Sequence, residues 1–310
     1  MEHLDFFSAV GNTPLVELSH SSPKKGVRLF AKLEGNNPSG SIKDRVAASI
    51  IQSGEESGAL TPGQTIIEAS TGNMAMALAA AAKQRGYQMR AVVPPQIAPG
   101  IADLMTLFGV EITWMEPRSG MLGPIEEAQR LADENGWWFA QQFTSPANVK
   151  AHYETTGPEI LAALPQVDAF VAGIGTGGTV TGVGRRLKEK NPDTIIVGVE
   201  PKFGERLQGL RSLEEGYIPP LLDMTLLNRR FIVDSPSAFD AVRRLVELEG
   251  IFAGISSGAV LHAALRVAEG MDGGNVVMIF ADQGWKYVNA FPWMSHQQRP
   301  EGAPDDVAWW

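Results

Sequence analysis

The chain has 310 residues, 44% hydrophobic and 20% charged, with 35 acidic and 26 basic side chains and no cysteine. This balance excludes a disordered or fibrous polymer, a disulfide-stapled domain, an iron–sulfur protein and a protein-borne thiol nucleophile. The net charge of −9 comes without any Lys/Arg block, so there is no nucleic-acid footprint.

Met1–Phe7 carries neither the basic start nor the long apolar run of a secretory signal, and no stretch approaches membrane-spanning length. A cytoplasmic location is the expectation. His3, His20, His152, His262 and His296 show no metal-ligand spacing, and no metal is expected.

Short β-branched runs alternate with longer segments of helical period, the pattern of parallel βαβ units. Strands are predicted at Arg28–Leu33, Thr65–Glu68, Met89–Val93, Val110–Trp114, Ala169–Gly173, Ile195–Glu200 and Val276–Phe280. Several are almost uniformly apolar, as strands covered on both faces are. Helices are predicted at Asp44–Ser53, Met74–Arg85, Pro124–Asn135, Val180–Lys190, Ala238–Glu249 and Gly258–Glu269. Gly86, Gly136 and Gly250 stand where C-terminal caps belong. The length predicts two packed domains, with a seam near Gln142–Asn148. The polar tail Gln297–Pro304 leads to Trp309-Trp310, an aromatic pair expected to dock.

Four constellations carry chemistry. Asn37-Pro38-Ser39-Gly40-Ser41-Ile42-Lys43 follows a strand and opens a helix, so Lys43 meets the positive helix end, where a neutral or covalently engaged amine is favoured. The plain alternative is a solvated surface lysine. Glu68-Ala69-Ser70-Thr71-Gly72-Asn73 puts hydroxyls, a glycine and an amide at another strand-to-helix junction, either a carboxylate site or an ordinary N-cap. Gly173-Ile174-Gly175-Thr176-Gly177-Gly178-Thr179 lets backbone amides face a phosphate. It also satisfies the dinucleotide fingerprint, with Glu200 placed as a ribose-binding acid, so a nicotinamide dehydrogenase competes. Gly254-Ile255-Ser256-Ser257-Gly258, taken alone, is an N-cap.

In order, these segments resemble the cysteine-synthase branch of the fold-type II pyridoxal-phosphate enzymes. The resemblance runs from Gly11-Asn12-Thr13-Pro14-Leu15 to Asp282-Gln283-Gly284-Trp285-Lys286-Tyr287, through Gln142-Phe143 with Pro146 and Asn148, and His152-Tyr153 to Thr156-Gly157-Pro158-Glu159. A dehydrogenase would leave the Lys43 and Ser256 loops unexplained. The resemblance implies an α/β fold with two open, mostly parallel twisted sheets and helices on both faces, like the β subunit of tryptophan synthase. It implies a smaller mobile domain over residues 36–146 and a larger one from 1–35 and 147–310. It implies pyridoxal 5'-phosphate held as a Schiff base on Lys43. The cofactor's phenolic oxygen would meet Asn73, its phosphate Gly175, Thr176, Gly177, Gly178 and Thr179, and its pyridine nitrogen Ser256. Ser70, Thr71, Gly72 and Gln142 would hold the substrate carboxylate, and Arg211 the leaving group.

The implied reaction is β-replacement on O-acetylserine or O-phosphoserine through an α-aminoacrylate, a sulfur nucleophile giving L-cysteine. An amine nucleophile, simple β-elimination and a catalytically silent relative are the alternatives. A homodimer is implied, and a thiocarboxylated sulfur-carrier protein is a candidate partner. Two departures bear on substrate choice. Ser70-Thr71-Gly72-Asn73-Met74-Ala75 exchanges the family's hydroxyl order and loses one hydroxyl at Met74. Gln96-Ile97-Ala98-Pro99-Gly100 replaces a segment that commonly carries arginines.

Overall fold

The computed structural model describes residues 5–116, 121–205 and 207–290. Among these, ten strands form: β1 (Leu15–Glu17), β2 (Val27–Leu33), β3 (Thr65–Ala69), β4 (Gln88–Val93), β5 (Val110–Trp114), β6 (Trp138–Phe139), β7 (Ala169–Gly173), β8 (Ile195–Pro201), β9 (Arg229–Val233) and β10 (Gly274–Phe280). They make a six-stranded sheet in the order β1-β2-β10-β7-β8-β9 and a four-stranded sheet in the order β5-β4-β3-β6. Every pairing is parallel except β1 with β2, so the mostly parallel expectation holds.

The apolar runs explain the layering. Ala169, Phe170, Val171 and Ala172 of β7 are wholly buried, which a strand flanked by helices on both faces requires. The helix Asn73–Arg85 buries Met74 through Ala79 and Ala81–Ala82. Its alanines cost little side-chain entropy and let it lie close to the helix Lys43–Glu56. Gly86, Gly136 and Gly250 cap their helices with φ of 76°, 66° and 68°, the left-handed conformation glycine adopts without strain.

The unpredicted elements are those with weak patterns. β9 is an edge strand whose first two residues, Arg229 and Arg230, are exposed; β6 has two residues; β1 has three. The helix Pro99–Leu107 begins at Pro99, which reads as a breaker yet is compatible with a first turn. Pro146 and Pro158 similarly start Pro146–Ala151 and Gly157–Ala163, which a π-helical turn, His152–Thr156, joins. The Trp309-Trp310 pair, with Phe291 and Trp293, lies outside the described residues.

Candidate active site

The carboxyl ends of parallel strands from both sheets open into one cleft of about 720 Å³, where open α/β sheets collect their ligands. β2 delivers Lys43, β3 delivers Ser70, Thr71 and Asn73, β6 delivers Gln142, β7 delivers Gly175–Thr179, and β8 delivers Arg211. Ser256 arrives from the start of the helix Ile255–Glu269. Of the residues to which the resemblance gives cofactor or substrate roles, all but Gly72 and Gly178 line the cleft.

Lys43 is the first residue of its helix. The Ile42 amide donates to the Ala281 carbonyl at 2.8 Å, which pins this loop to the end of β10. Asp44 accepts from the Ser39 amide at 2.7 Å and from the Ser39 hydroxyl, closing the turn that precedes the helix. Burial pushes the Lys43 amine down to about 8; the charge of Glu68 opposes this and that of Arg211 adds to it. Desolvation is thus a cause of the lowered amine beyond the helix end that the sequence suggested. Glu68 lies in β3 with no exposed surface, its carboxyl oxygens accepting from the Ala69 and Gln142 amides at 2.8 Å each. Burial pushes its pKa up to about 8, against those amides and the nearby Lys43 charge. Little in the sequence marks Glu68 as a functional group. Its one signal was a carboxylate inside an otherwise apolar strand.

The glycines of the 173–179 loop answer to close approach. A Cβ at Gly175 would sit 2.5 Å from the Gly209 carbonyl oxygen, and one at Gly177 would sit 2.7 Å from the Leu222 backbone. Gly177 also has φ of 86° and caps the helix Gly178–Lys190. That helix start leaves amides with no partner inside the helix, beside Thr176 and Thr179, which line the cleft. Thr179 Oγ1 lies 3.2 Å from His152 Nε2, and His152 Nδ1 lies 3.0 Å from Thr156 Oγ1. Burial, then the charges of Arg45 and Lys43, holds His152 well below its usual range, so a neutral ring stands behind the loop.

At the 70–73 loop, Ser70 Oγ accepts from the Gly72 and Ala75 amides at 3.1 and 3.2 Å, leaving its own proton free to donate. Gln142 Nε2 donates to the Ala69 carbonyl at 2.8 Å, with a second N–H remaining. A Cβ at Gly72, whose φ is 146°, would meet Ile101 at 2.5 Å. Across the mouth, Gln208 Nε2 donates to the Thr71 carbonyl at 2.7 Å.

Arg211 lies over the Phe143 ring, 5.2 Å from its centroid. Among the described residues no carboxylate comes within 4.0 Å of it. Burial lowers its pKa to about 10, partly offset by Glu215 and Tyr217, so it stays cationic at neutral pH.

Asn73 is held by residues the sequence reading left without roles. Its Nδ2 donates to Asp282 Oδ2 at 2.6 Å, and Lys286 Nζ donates to its Oδ1 at 2.8 Å. A donor-only lysine and an acceptor carboxylate fix which way the amide points. Nδ2 also donates to the Tyr287 hydroxyl, weakly, at 3.4 Å. Tyr287 also donates to Asp282, whose pKa burial raises against Lys286.

An α/β enzyme whose two sheets aim a desolvated lysine, a glycine–threonine anion loop and a hydroxyl-bearing helix start at one cleft is the class of protein that geometry defines. The family model "Pyridoxal-phosphate dependent enzyme" matches residues 6–282, and the chain belongs to that family. It is 38% identical over 281 residues to cysteine synthase B of Salmonella typhimurium, covering 90% of this chain and 93% of that protein. To cysteine synthase B of Pseudomonas aeruginosa it is 39% identical over 282 residues, covering 91% and 94%. Its fold superimposes on a crystal structure of O-ureido-L-serine synthase with a TM-score of 0.91 at 34% identity, covering 97% and 98% of the two chains. The residues present suit pyridoxal 5'-phosphate: a loop at a helix start where a Cβ at Gly175 or Gly177 would strike neighbouring backbone, and a buried amine of lowered pKa lining the same cleft.

Proposed function

We propose that this enzyme is a cysteine synthase, replacing the β-substituent of an O-activated L-serine with sulfur. The observation that carries the reading is the convergence of Lys43, the 175–179 loop and the 70–73 loop on one cleft, with Arg211 at its wall. Lys43 would hold the cofactor through Nζ, Gly175, Thr176, Gly177 and Thr179 would hold its phosphate, and Asn73 and Ser256 would flank its ring. Gly178 contributes by close packing beneath the loop.

Bound pyridoxal phosphate supplies an electron sink that makes the substrate's Cα proton labile and lets the β-substituent leave. Ser70, Thr71 and the free N–H of Gln142 grip the α-carboxylate, with Gly72 keeping the loop tight. Once free, the Lys43 amine takes the Cα proton; with a pKa of about 8 roughly a tenth of it is neutral at pH 7. Arg211 meets the departing acetate or, better matched, a phosphate dianion. Closure of the 36–146 unit over the cleft would exclude water before sulfur adds.

Among the described residues no helix is long and apolar enough to cross a membrane. A homodimer fits the exposed Trp285, packed edge-on against Phe252 at 4.9 Å. A thiocarboxylated sulfur-carrier protein is the partner that the family resemblance implies as a candidate. A second reading, β-replacement with a non-sulfur nucleophile, is favoured by the likeness to O-ureido-L-serine synthase, whose named product is an O-substituted serine, and by Met74 and the Gln96–Gly100 segment. Product analysis separates the two. With O-acetylserine or O-phosphoserine, we expect cysteine from sulfide to outpace products from amines or hydroxylated ureas; the reverse order makes the second reading correct, and pyruvate alone excludes both.

A further inference from the structure

Asn148 is wholly buried near the start of the helix Pro146–Ala151 and does not line the cleft, yet it touches both candidate binding loops. Its Nδ2 donates to the Gln142 carbonyl at 2.8 Å and to Thr176 Oγ1 at 2.9 Å. Gln142 is fixed at its other groups, its amide by Glu68 and its side chain by the Ala69 carbonyl. Thr176 Oγ1 also lies 3.4 Å from the Gly178 amide, a weak second donor. A hydroxyl has one proton and two lone pairs. With amide donors arriving from behind, the Thr176 proton is left to face the cleft. Asn148 Oδ1, buried and without a hydrogen-bond partner among the described residues, is wedged against Gly178, where a Cβ would come within 2.0 Å. Gly178 is thus explained by Asn148 rather than by direct contact with a ligand.

We propose that Asn148 is a positioning residue that sets the polarity of the Thr176 hydroxyl and couples the phosphate loop to the loop carrying Gln142. The inference rests on reading residues 175–179 as the cofactor-phosphate site. Loading that site with an anion should tighten the Gln142 loop, and by linkage the reverse also holds.

The test compares pyridoxal phosphate with pyridoxal, which lacks only the phosphate, as ligands of the apo-enzyme. Asn148→Leu keeps the number and branching of the side-chain heavy atoms and removes the donor. It should weaken pyridoxal phosphate about tenfold, the scale of one buried hydrogen bond whose partner is orphaned, while leaving pyridoxal unchanged. A variant damaged only in its packing would lose both ligands in proportion, and that result, or no change in either, overturns the proposal. If Asn148→Leu does not fold, the wild type still decides. Inorganic phosphate should slow amide hydrogen exchange in peptides spanning 140–149 as well as 174–180, and protection confined to 174–180 overturns the coupling. Neither arm needs turnover. A wild type that binds the cofactor and makes no cysteine would therefore defeat the functional reading while leaving this one to be judged on its own results.

Discussion

Arg211 reaches the cleft as a largely buried guanidinium with no carboxylate within 4.0 Å among the described residues, while its backbone amide is tied to the Ile174 carbonyl at 2.8 Å. Desolvating a cation without pairing it is costly, and such a cost is tolerated where a ligand anion completes the site. Glu214 and Glu215 follow closely in sequence, yet no salt bridge of Arg211 with either forms within 4.0 Å among the described residues; the guanidinium lies over Phe143 instead, which local spacing does not reveal. Arg211→Ala should raise KM for O-phosphoserine by at least about tenfold, the loss of a charge-assisted hydrogen bond, and change KM for O-acetylserine little. Steady-state kinetics on both substrates checks it; equal losses would make Arg211 structural. Glu68 and Asn148 were invisible for the same reason. Their meaning lies in partners 74 and 28 residues away, Gln142 and Thr176 respectively.

At the scale of elements, the strongly periodic helices and the apolar inner strands were legible, since burial on both faces writes itself as composition. Short edge strands and proline-started helices were not, since their sequence resembles that of loops. Also hidden was a buried ionic cluster that locks the helix of Lys43 to its neighbours. Arg45 donates to Glu34 at 2.7 and 2.9 Å and to Glu159 at 2.7 Å through each of two nitrogens, and Lys32 donates to Glu159 at 2.6 Å. Thr13 closes the cluster by donating to Glu34 at 2.6 Å. Partial burial opposes ionisation of Glu159, but Arg45 and Lys32 hold its pKa down to about 2 from an ordinary 4.5. A depressed carboxyl stabilises the fold above its unfolded pKa and loses that contribution as pH falls through the folded value. Glu159→Gln should therefore cost about 3 kcal/mol at pH 7, as expected when one partner leaves a buried pair. It should also flatten the acid-side loss of stability expected of the wild type between pH 4.5 and about 2. Urea titrations across that range measure both, and an unchanged slope for the variant would assign the acid lability elsewhere.

For the whole molecule, the decisive arrangement is two parallel sheets presenting their carboxyl ends to one cleft, so that residues scattered from 43 to 256 meet. The sequence supplied each loop and its order, and the resemblance supplied the assembly. Strand order and the contacts across the mouth, such as Gln208 to Thr71, came only from the folded chain. Substrate choice was least legible, because the Ser70–Ala75 and Gln96–Gly100 segments depart from the pattern that would name it.

The central claim is that Lys43 is the cofactor's anchor, and a second amine makes it sharply testable: Lys286 lies 2.8 Å from Asn73, at the edge of the same site. Borohydride reduction of the yellow, loaded enzyme followed by peptide mapping should place the cofactor's mass on the peptide containing Lys43, and Lys43→Ala should abolish both the adduct and the activity. A stable adduct on Lys286 or any other lysine, in the wild type or in the alanine variant, would contradict the account.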